Sequence, residues 1–350
     1  MSMKSVTVVG AGVIGLSIAW RAARSGWAVR IADPAIGRGA SHVAGGMLAP
    51  LSEGWPGEDG PLEFGAESLR RWPTFVSDLG ADGLITARGA LTVAFDAADA
   101  EDLRTVAEFV TARGHEMEIV SRRDVKSLEP AVSHNVRLGL LAPAELAVDN
   151  RRVVAALMTA AVSAGVDLTE DRVDDVSALG SDQVVLAAGW ATARLCPSVP
   201  VRPVKGEILR LRARSGSPAG PTRTVRASVN GRSVYLVPRV DGLVVGATQY
   251  EHGDDTTVTV GGVRDLLADA ERVFPGVADY EFSEAAAGLR PMSPDNVPLI
   301  GRVDARTVVA TGHGRNGMLL APLTADAVLA ELDGSALPEA TSASLERFSS

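Results

Sequence analysis

Residues Val6 to Gly26 read VTVVGAGVIGLSIAWRAARSG, and the folding of this stretch decides how the rest of the chain is organised. Val6 to Val9 are apolar or β-branched and run straight into Gly10-Ala11-Gly12-Val13-Ile14-Gly15, after which Leu16, Ile18, Ala19, Ala22 and Ala23 recur at helical spacing. The order is strand, glycine turn, helix. Gly10 makes the tight turn, Gly12 lets the backbone approach a pyrophosphate, and Gly15 lets the helix pack on the strand. The free N–H groups of the first helical turn, Val13 and Ile14 among them, then face an anion together with the positive end of the helix. Gly26 closes the helix and Trp27 to Ala32 reads as a second strand. Asp33 ends it 18 residues past Gly15, where a carboxylate would accept both hydroxyls of an adenosine ribose.

With Gly at 36 of 350 positions, the bare G-x-G-x-x-G pattern arises easily by chance. The preceding strand, the following helix and the timely acid make it a dinucleotide signal. Gly312-His313-Gly314-Arg315-Asn316-Gly317 repeats the pattern after the strand-like Thr307 to Thr311, but only 33 residues follow Gly317. They leave space for one helix and no second strand, so this copy has another use.

A chain of 350 residues with 46% hydrophobic content suits a large two-lobed fold. Its net charge of −9, without a basic run, argues against nucleic acid or an anionic membrane surface as partner. Cys196 is the sole cysteine, which excludes an internal disulfide and a thiolate metal cluster. None of the histidines (His42, His115, His134, His252, His313) pair at metal-ligand spacing, so no metal is expected. Met1-Ser2-Met3-Lys4 leads directly into the first strand, and no apolar run approaches a membrane-spanning length, so the expected location is cytoplasmic.

Pro34 to Pro50 is rich in small residues, which either let the backbone pass close to a large planar ligand or make a flexible loop; Arg38 and Ser41 could add donors to its phosphates. Pro61 to Leu79 reads as a helix, as do Ala97 to Arg113, Asp149 to Ala164 (capped by Asp149 or Asn150), Gly261 to Val273 and Met318 to Leu332. Short strands are expected at Leu84 to Thr86, Ala90 to Phe95 and Val136 to Leu141. Asp167 to Val176 offers a strand whose backbone could reach an adenine, and Val234 to Arg239 faces Leu243 to Thr248 across an Asp241-Gly242 turn. The expected fold is α/β. A discontinuous Rossmann-like lobe (1–82, 145–200 and 288–350) is interrupted by an antiparallel or mixed β-sheet substrate lobe (83–144 and 201–287).

Blocks along the chain resemble, in order, the FAD-dependent D-amino acid oxidase superfamily, most closely its glycine oxidase branch from thiamine biosynthesis. They are the N-terminal glycines with Asp33, Gly39 to Pro50, Ala188-Gly189-Trp190, Pro203-Val204-Lys205-Gly206-Glu207, Tyr235-Leu236-Val237-Pro238-Arg239, Gly246-Ala247-Thr248, Gly288-Leu289-Arg290-Pro291 and Gly312 to Gly317. The resemblance implies noncovalent FAD at the first motif. It places Ser41, Gly45, Gly46 and Met47 along the pyrophosphate and flavin, Val173 near the adenine and Gly189 beside the cofactor. It puts the late block, His313, Gly314, Arg315, Asn316, Gly317 and Met318, around the polar edge of the flavin ring.

The same resemblance makes Arg290 the clamp for a substrate carboxylate, Tyr235 a hydroxyl that binds that carboxylate or covers the substrate, and Arg315 a pocket or flavin-edge residue. A surface ion pair, core packing and a helix-start surface position are the respective alternatives. The implied activity is oxidation of glycine, sarcosine and small D-amino acids by hydride transfer to flavin, with oxygen as acceptor; a homo-oligomer is plausible from resemblance alone. The nearest rival is a D-amino acid or secondary-amine dehydrogenase of the same fold using another acceptor. An NAD(P)-dependent dehydrogenase or a flavin-binding subunit without turnover accounts for fewer of these blocks. The chain departs from the pattern in Arg226 to Arg232, where Asn230 replaces expected tyrosine or histidine side chains, at Gln249, and at His42, where tryptophan is common.

Overall fold

The structure, a computed structural model, describes residues 3–348. Ser5–Val9 lies inside a sheet of six strands, in the order Leu299–Arg302, Thr307–Thr311, Gln183–Leu186, Ser5–Val9, Ala28–Ala32, Asp167–Thr169. All neighbours are parallel except the outermost pair, Leu299–Arg302 with Thr307–Thr311. The central strands read as unbroken apolar runs because helices cover them. Val13–Arg24 packs between Gly317–Leu332 and Asn150–Ser163, and Val8, Leu16, Ile31 and Leu319 are fully buried together. Asp149 caps Asn150–Ser163 by accepting from the N–H groups of Arg151 and Arg152, as its residue type predicts.

The second sheet is mixed and larger, with nine strands. Its path runs Glu281–Met292, Arg202–Arg212, Gly242–Gly246, Arg232–Arg239, Thr224–Val229, Ile85–Ala94, Leu138–Val148, Met47–Leu48, and Glu118–Ser121 joins Leu138–Val148 from the side. Every pairing is antiparallel except Thr224–Val229 with Ile85–Ala94. The two-sheet α/β architecture agrees with the expectation from sequence. Among the described residues, no helix is long and apolar enough to cross a membrane.

Local differences have identifiable causes. The strand expected over Asp167 to Val176 stops at Thr169, because its only partner, Ala28–Ala32, ends opposite Thr169. The expected short strands Leu84 to Thr86 and Ala90 to Phe95 are one bulged strand, Ile85–Ala94, and Val136 to Leu141 is the start of the longer Leu138–Val148. The longer strand contains Pro143. It falls where the ladder jumps from Ala90–Ala142 to Arg88–Leu146, a gap in which no N–H is required of it. Asn230, noted as a departure from the family pattern, sits with Gly231 at a hairpin tip, both with positive φ (52° and 75°). Asn-Gly is the preferred pair for such a turn.

Candidate active site

A cavity of about 920 Å³ opens between the carboxyl ends of the first sheet and one face of the second. At the edge of the first sheet's strands the turn predicted from sequence is present and crowded. Gly10 has φ +110°, and a Cβ there would stand 2.4 Å from the Ala187 carbonyl oxygen. Gly15 lies beneath the wall, where a Cβ would meet the Gly10 carbonyl oxygen at 1.9 Å. Gly12, Val13 and Ile14 line the cavity, and the N-cap residue Gly12 offers no side chain to cap the helix. The Val13 N–H donates to Ser41 Oγ at 2.9 Å, which fixes the following loop against the turn. Asp33 Oδ2 accepts from the Ala11 N–H (2.6 Å) and Oδ1 from the Ala35 N–H (2.7 Å), leaving each oxygen a lone pair towards the cavity it lines.

Arg38, Gly45, Gly46, Met47, Val173 and Gly189 also line the cavity. Gly46 has φ +79° and is pressed against the Val148 carbonyl, 2.0 Å from where a Cβ would be. A backbone held this close leaves space for a broad planar group. The late glycine block closes the same cavity from the other side. Gly314–Asn316 forms a 3₁₀ turn before Gly317–Leu332, a helix whose start again lacks a side-chain cap. His313 contributes no charge there: its ring is buried, hydrogen-bonded to Thr324 Oγ1 at 3.0 Å, and burial pushes its pKa down to about 3. Met318 is buried too.

Arg290 and Tyr235 both line the cavity from strands of the second sheet. Arg290 donates to the Thr248 carbonyl at 3.1 Å, and among the described residues it makes no ion pair with an acidic side chain. Burial lowers its pKa, with Tyr235 acting in the opposite direction, but a guanidinium remains charged. Tyr235 is held edge-on between glycines: a Cβ on Gly45 or Gly246 would come within 2.7 or 2.2 Å of its ring. Burial raises its pKa, so the phenol keeps its proton as a donor.

Arg315 differs from Arg290, since its Nε lies 2.7 Å from Glu53 Oε2. Glu53 also pairs with Arg226 at 2.8 Å, and these guanidinium groups hold its carboxyl below the usual range despite burial. Arg226 reaches back to Ser52 Oγ (2.9 Å), whose hydroxyl and N–H both donate to the fully buried Glu145 (2.8 and 2.7 Å). Glu53 and Arg226 line the cavity and were not anticipated from sequence. Neither sits in a recognisable motif, and Arg226 lies on a strand that the alternation of residues does not announce. Gln249, noted as a departure, does line the cavity, whereas His42 does not; its carbonyl is instead bound by Asn150 and Arg151.

Burial raises the Glu145 pKa from 4.5 to about 7, outweighing the Ser52 bonds and Arg226. A raised carboxyl contributes stability below its unfolded value, and that contribution is lost as pH rises through the folded value. Relative to Glu145→Gln, the native protein is therefore expected to lose roughly 3 kcal/mol between pH 4.5 and 7, at 1.36 kcal/mol per pH unit. Urea unfolding of both proteins at pH 5 and pH 8 checks this; parallel stability curves would contradict it.

The crowded glycine turn, the two helix starts whose N-cap residues make no side-chain cap bond, and the Gly45–Gly46 approach fit an anionic dinucleotide bearing a planar ring. A family model described as FAD dependent oxidoreductase matches residues 5–332. The chain belongs to this family. Members similar to it include the "Bifunctional protein ThiO/ThiG" of Trichormus variabilis, 30% identical over 92% of this chain and 51% of that protein. A protein of Rhizobium etli whose name assigns it to thiamine biosynthesis, ThiO, is 32% identical over 93% of this chain and 96% of its own length. The crystal structure of glycine oxidase from Geobacillus kaustophilus superposes with a TM-score of 0.90 at 30% identity, covering 99% of each chain. The chain spans about half the length of the bifunctional ThiO/ThiG relatives. Membership in the FAD dependent oxidoreductase family accounts for both glycine blocks opening on one cavity.

Proposed function

We propose that the protein oxidises glycine and other small amino acids, sarcosine and small D-amino acids included, giving a 2-oxo acid, hydrogen peroxide and the free amine (ammonia from the primary amines, methylamine from sarcosine) in service of thiamine biosynthesis. The observation that carries this reading is Arg290, a half-buried cation that lines the cavity without an acidic partner among the described residues, with a protonated Tyr235 lining the same cavity. The names of the similar proteins support the same direction. FAD, when bound, supplies the two-electron acceptor for the hydride that leaves the substrate Cα.

The chain's own groups bind and orient. Gly10, Gly12, Val13, Ile14, Asp33, Arg38 and Ser41 would hold the nucleotide part, with Gly15 supporting the turn and Val173 near the base. Gly45, Gly46, Met47, Gly189 and the segment His313 to Met318 would surround the ring. Arg290 would take the substrate carboxylate by parallel N–H bonds, with the Tyr235 hydroxyl as a further donor, so that the amine and Cα point inward. Arg315 would act through Glu53, as one wall of the pocket rather than a free anion site. The surrounding lobes exclude water. Residues 1–82, 145–200 and 288–350 would form the FAD lobe and 83–144 with 201–287 the substrate lobe, in a cytoplasmic enzyme that uses oxygen.

The test is to purify the protein, record its flavin spectrum, add glycine, sarcosine or D-alanine without air, and then admit oxygen. Bleaching by glycine followed by peroxide is the expected result. Bleaching without peroxide would make it a dehydrogenase of the same fold, and a colourless protein that refuses FAD would overturn the reading.

A further inference from the structure

Lys205-Gly206-Glu207, on the strand Arg202–Arg212, is a quoted motif that the proposed function leaves unused. Successive residues of a strand face opposite sides. Gly206 faces the cavity, and a Cβ there would stand 2.3 to 2.6 Å from the Arg290 guanidinium, so its missing side chain is the seat of that cation. Lys205 and Glu207 face the other way, with side chains 0% exposed. Both grip the segment 247–259, which contains no helix or strand and contributes Ala247, Thr248, Gln249 and Thr256 to the cavity wall.

The grip is detailed. Lys205 Nζ donates to Asp255 Oδ2 at 2.6 Å and to the Thr257 carbonyl. The Lys205 main chain exchanges hydrogen bonds with Tyr250, at 2.8 and 3.0 Å. The Glu207 N–H donates to Thr248 Oγ1 (2.9 Å), and its carboxylate accepts from the Thr259 N–H (2.9 Å). The Thr248 carbonyl in turn receives the Arg290 N–H. A buried ammonium persists only where partners replace its lost hydration, and here the segment supplies them together with Glu207.

We propose that Lys205 is a positioning residue of the substrate end: it ties down segment 247–259 as the outer wall and so fixes the Thr248 carbonyl against which Arg290 is aligned. The inference rests on the assignment of Arg290 to the substrate carboxylate. Loosening the segment leaves the reacting bond and the cofactor site alone but lets the clamp wander. Binding therefore suffers more than turnover.

The test compares the FAD-loaded protein with Lys205→Met and Asp255→Asn in limited digestion by a glutamate-specific protease. Glu251, the only glutamate of the segment, is exposed. Each variant is expected to be cut after Glu251 on the order of tenfold faster, since local opening governs cleavage. KM for glycine is expected to rise about tenfold while kcat changes by less than about threefold, the split that marks lost uniform binding. Should Lys205→Met fail to fold, Asp255→Asn decides, because it keeps Lys205 and alters a half-exposed carboxylate. Cutting after Glu251 at the native rate, or an unchanged KM, in whichever variant folds overturns the proposal. Digestion is run without substrate, so a native protein inert towards glycine would remove the Arg290 assignment while the cleavage comparison still decides whether Lys205 holds the segment.

Discussion

Replacing Arg290 with alanine is expected to leave the flavin spectrum intact and to weaken glycine binding by roughly 2–5 kcal/mol, the usual consequence of truncating one partner of a desolvated charge pair. That corresponds to about 30-fold at the low end and several thousand-fold at the high end. The size follows from the environment. The guanidinium has one protein acceptor, the Thr248 carbonyl, which leaves its remaining donors without an acidic partner among the described residues. A carboxylate entering the cavity meets a half-buried cation already seated on Gly206, and so avoids much of the cost of ordering one. Lysine should restore little, because an ammonium cannot reproduce the planar fork. Anaerobic titration with glycine, following flavin bleaching, reads the effect. Normal bleaching by Arg290→Ala at native glycine concentrations would show that another group takes the carboxylate.

The same titration separates Arg290, which the resemblance makes the carboxylate clamp, from Arg315, which it makes a pocket or flavin-edge residue. Arg315 is 2.7 Å from a carboxylate that is itself shared with Arg226, so its charge is largely committed before substrate arrives. Sequence could name both arginines from their motifs but could not tell a free cation from a paired one. The distinguishing partner, Glu53, lies far along the chain and outside any spacing rule. What local pattern encodes was legible: the Gly10 to Gly15 turn, the Asp149 cap, the Asp241-Gly242 hairpin and the discontinuous arrangement of two sheets. What depends on pairing between distant strands was not. Pro143 ends a strand by propensity yet is tolerated because its own strand bulges there, Pro143 to Glu145 standing opposite Gly89 alone, and that bulge is also where the buried Glu145 belongs. Asn230 was noted as a departure from the family pattern, when its worth is a positive φ. In each case the deciding neighbour is remote in sequence.

Gly15→Ala is expected to cost the protein its cofactor. A Cβ at this position would stand 1.9 Å from the Gly10 carbonyl oxygen, and the obstructing atom is backbone that cannot rotate aside. Either the helix start moves off the strand or the turn opens, and both displace the N–H groups of Val13 and Ile14 from the cavity they line. Overpacking of this kind costs roughly 1–3 kcal/mol and occasionally more, which as lost FAD affinity is about 5- to 150-fold. Gly261→Ala is the matched control: the same methyl group, in the helix Val260–Val273, meets nothing within 4 Å. There alanine should be neutral or stabilising by up to about 1 kcal/mol through helix propensity. Flavin fluorescence released on dilution measures both variants side by side. If Gly15→Ala kept FAD as tightly as Gly261→Ala, the close helix–strand contact at this turn would not be what holds the nucleotide end in shape.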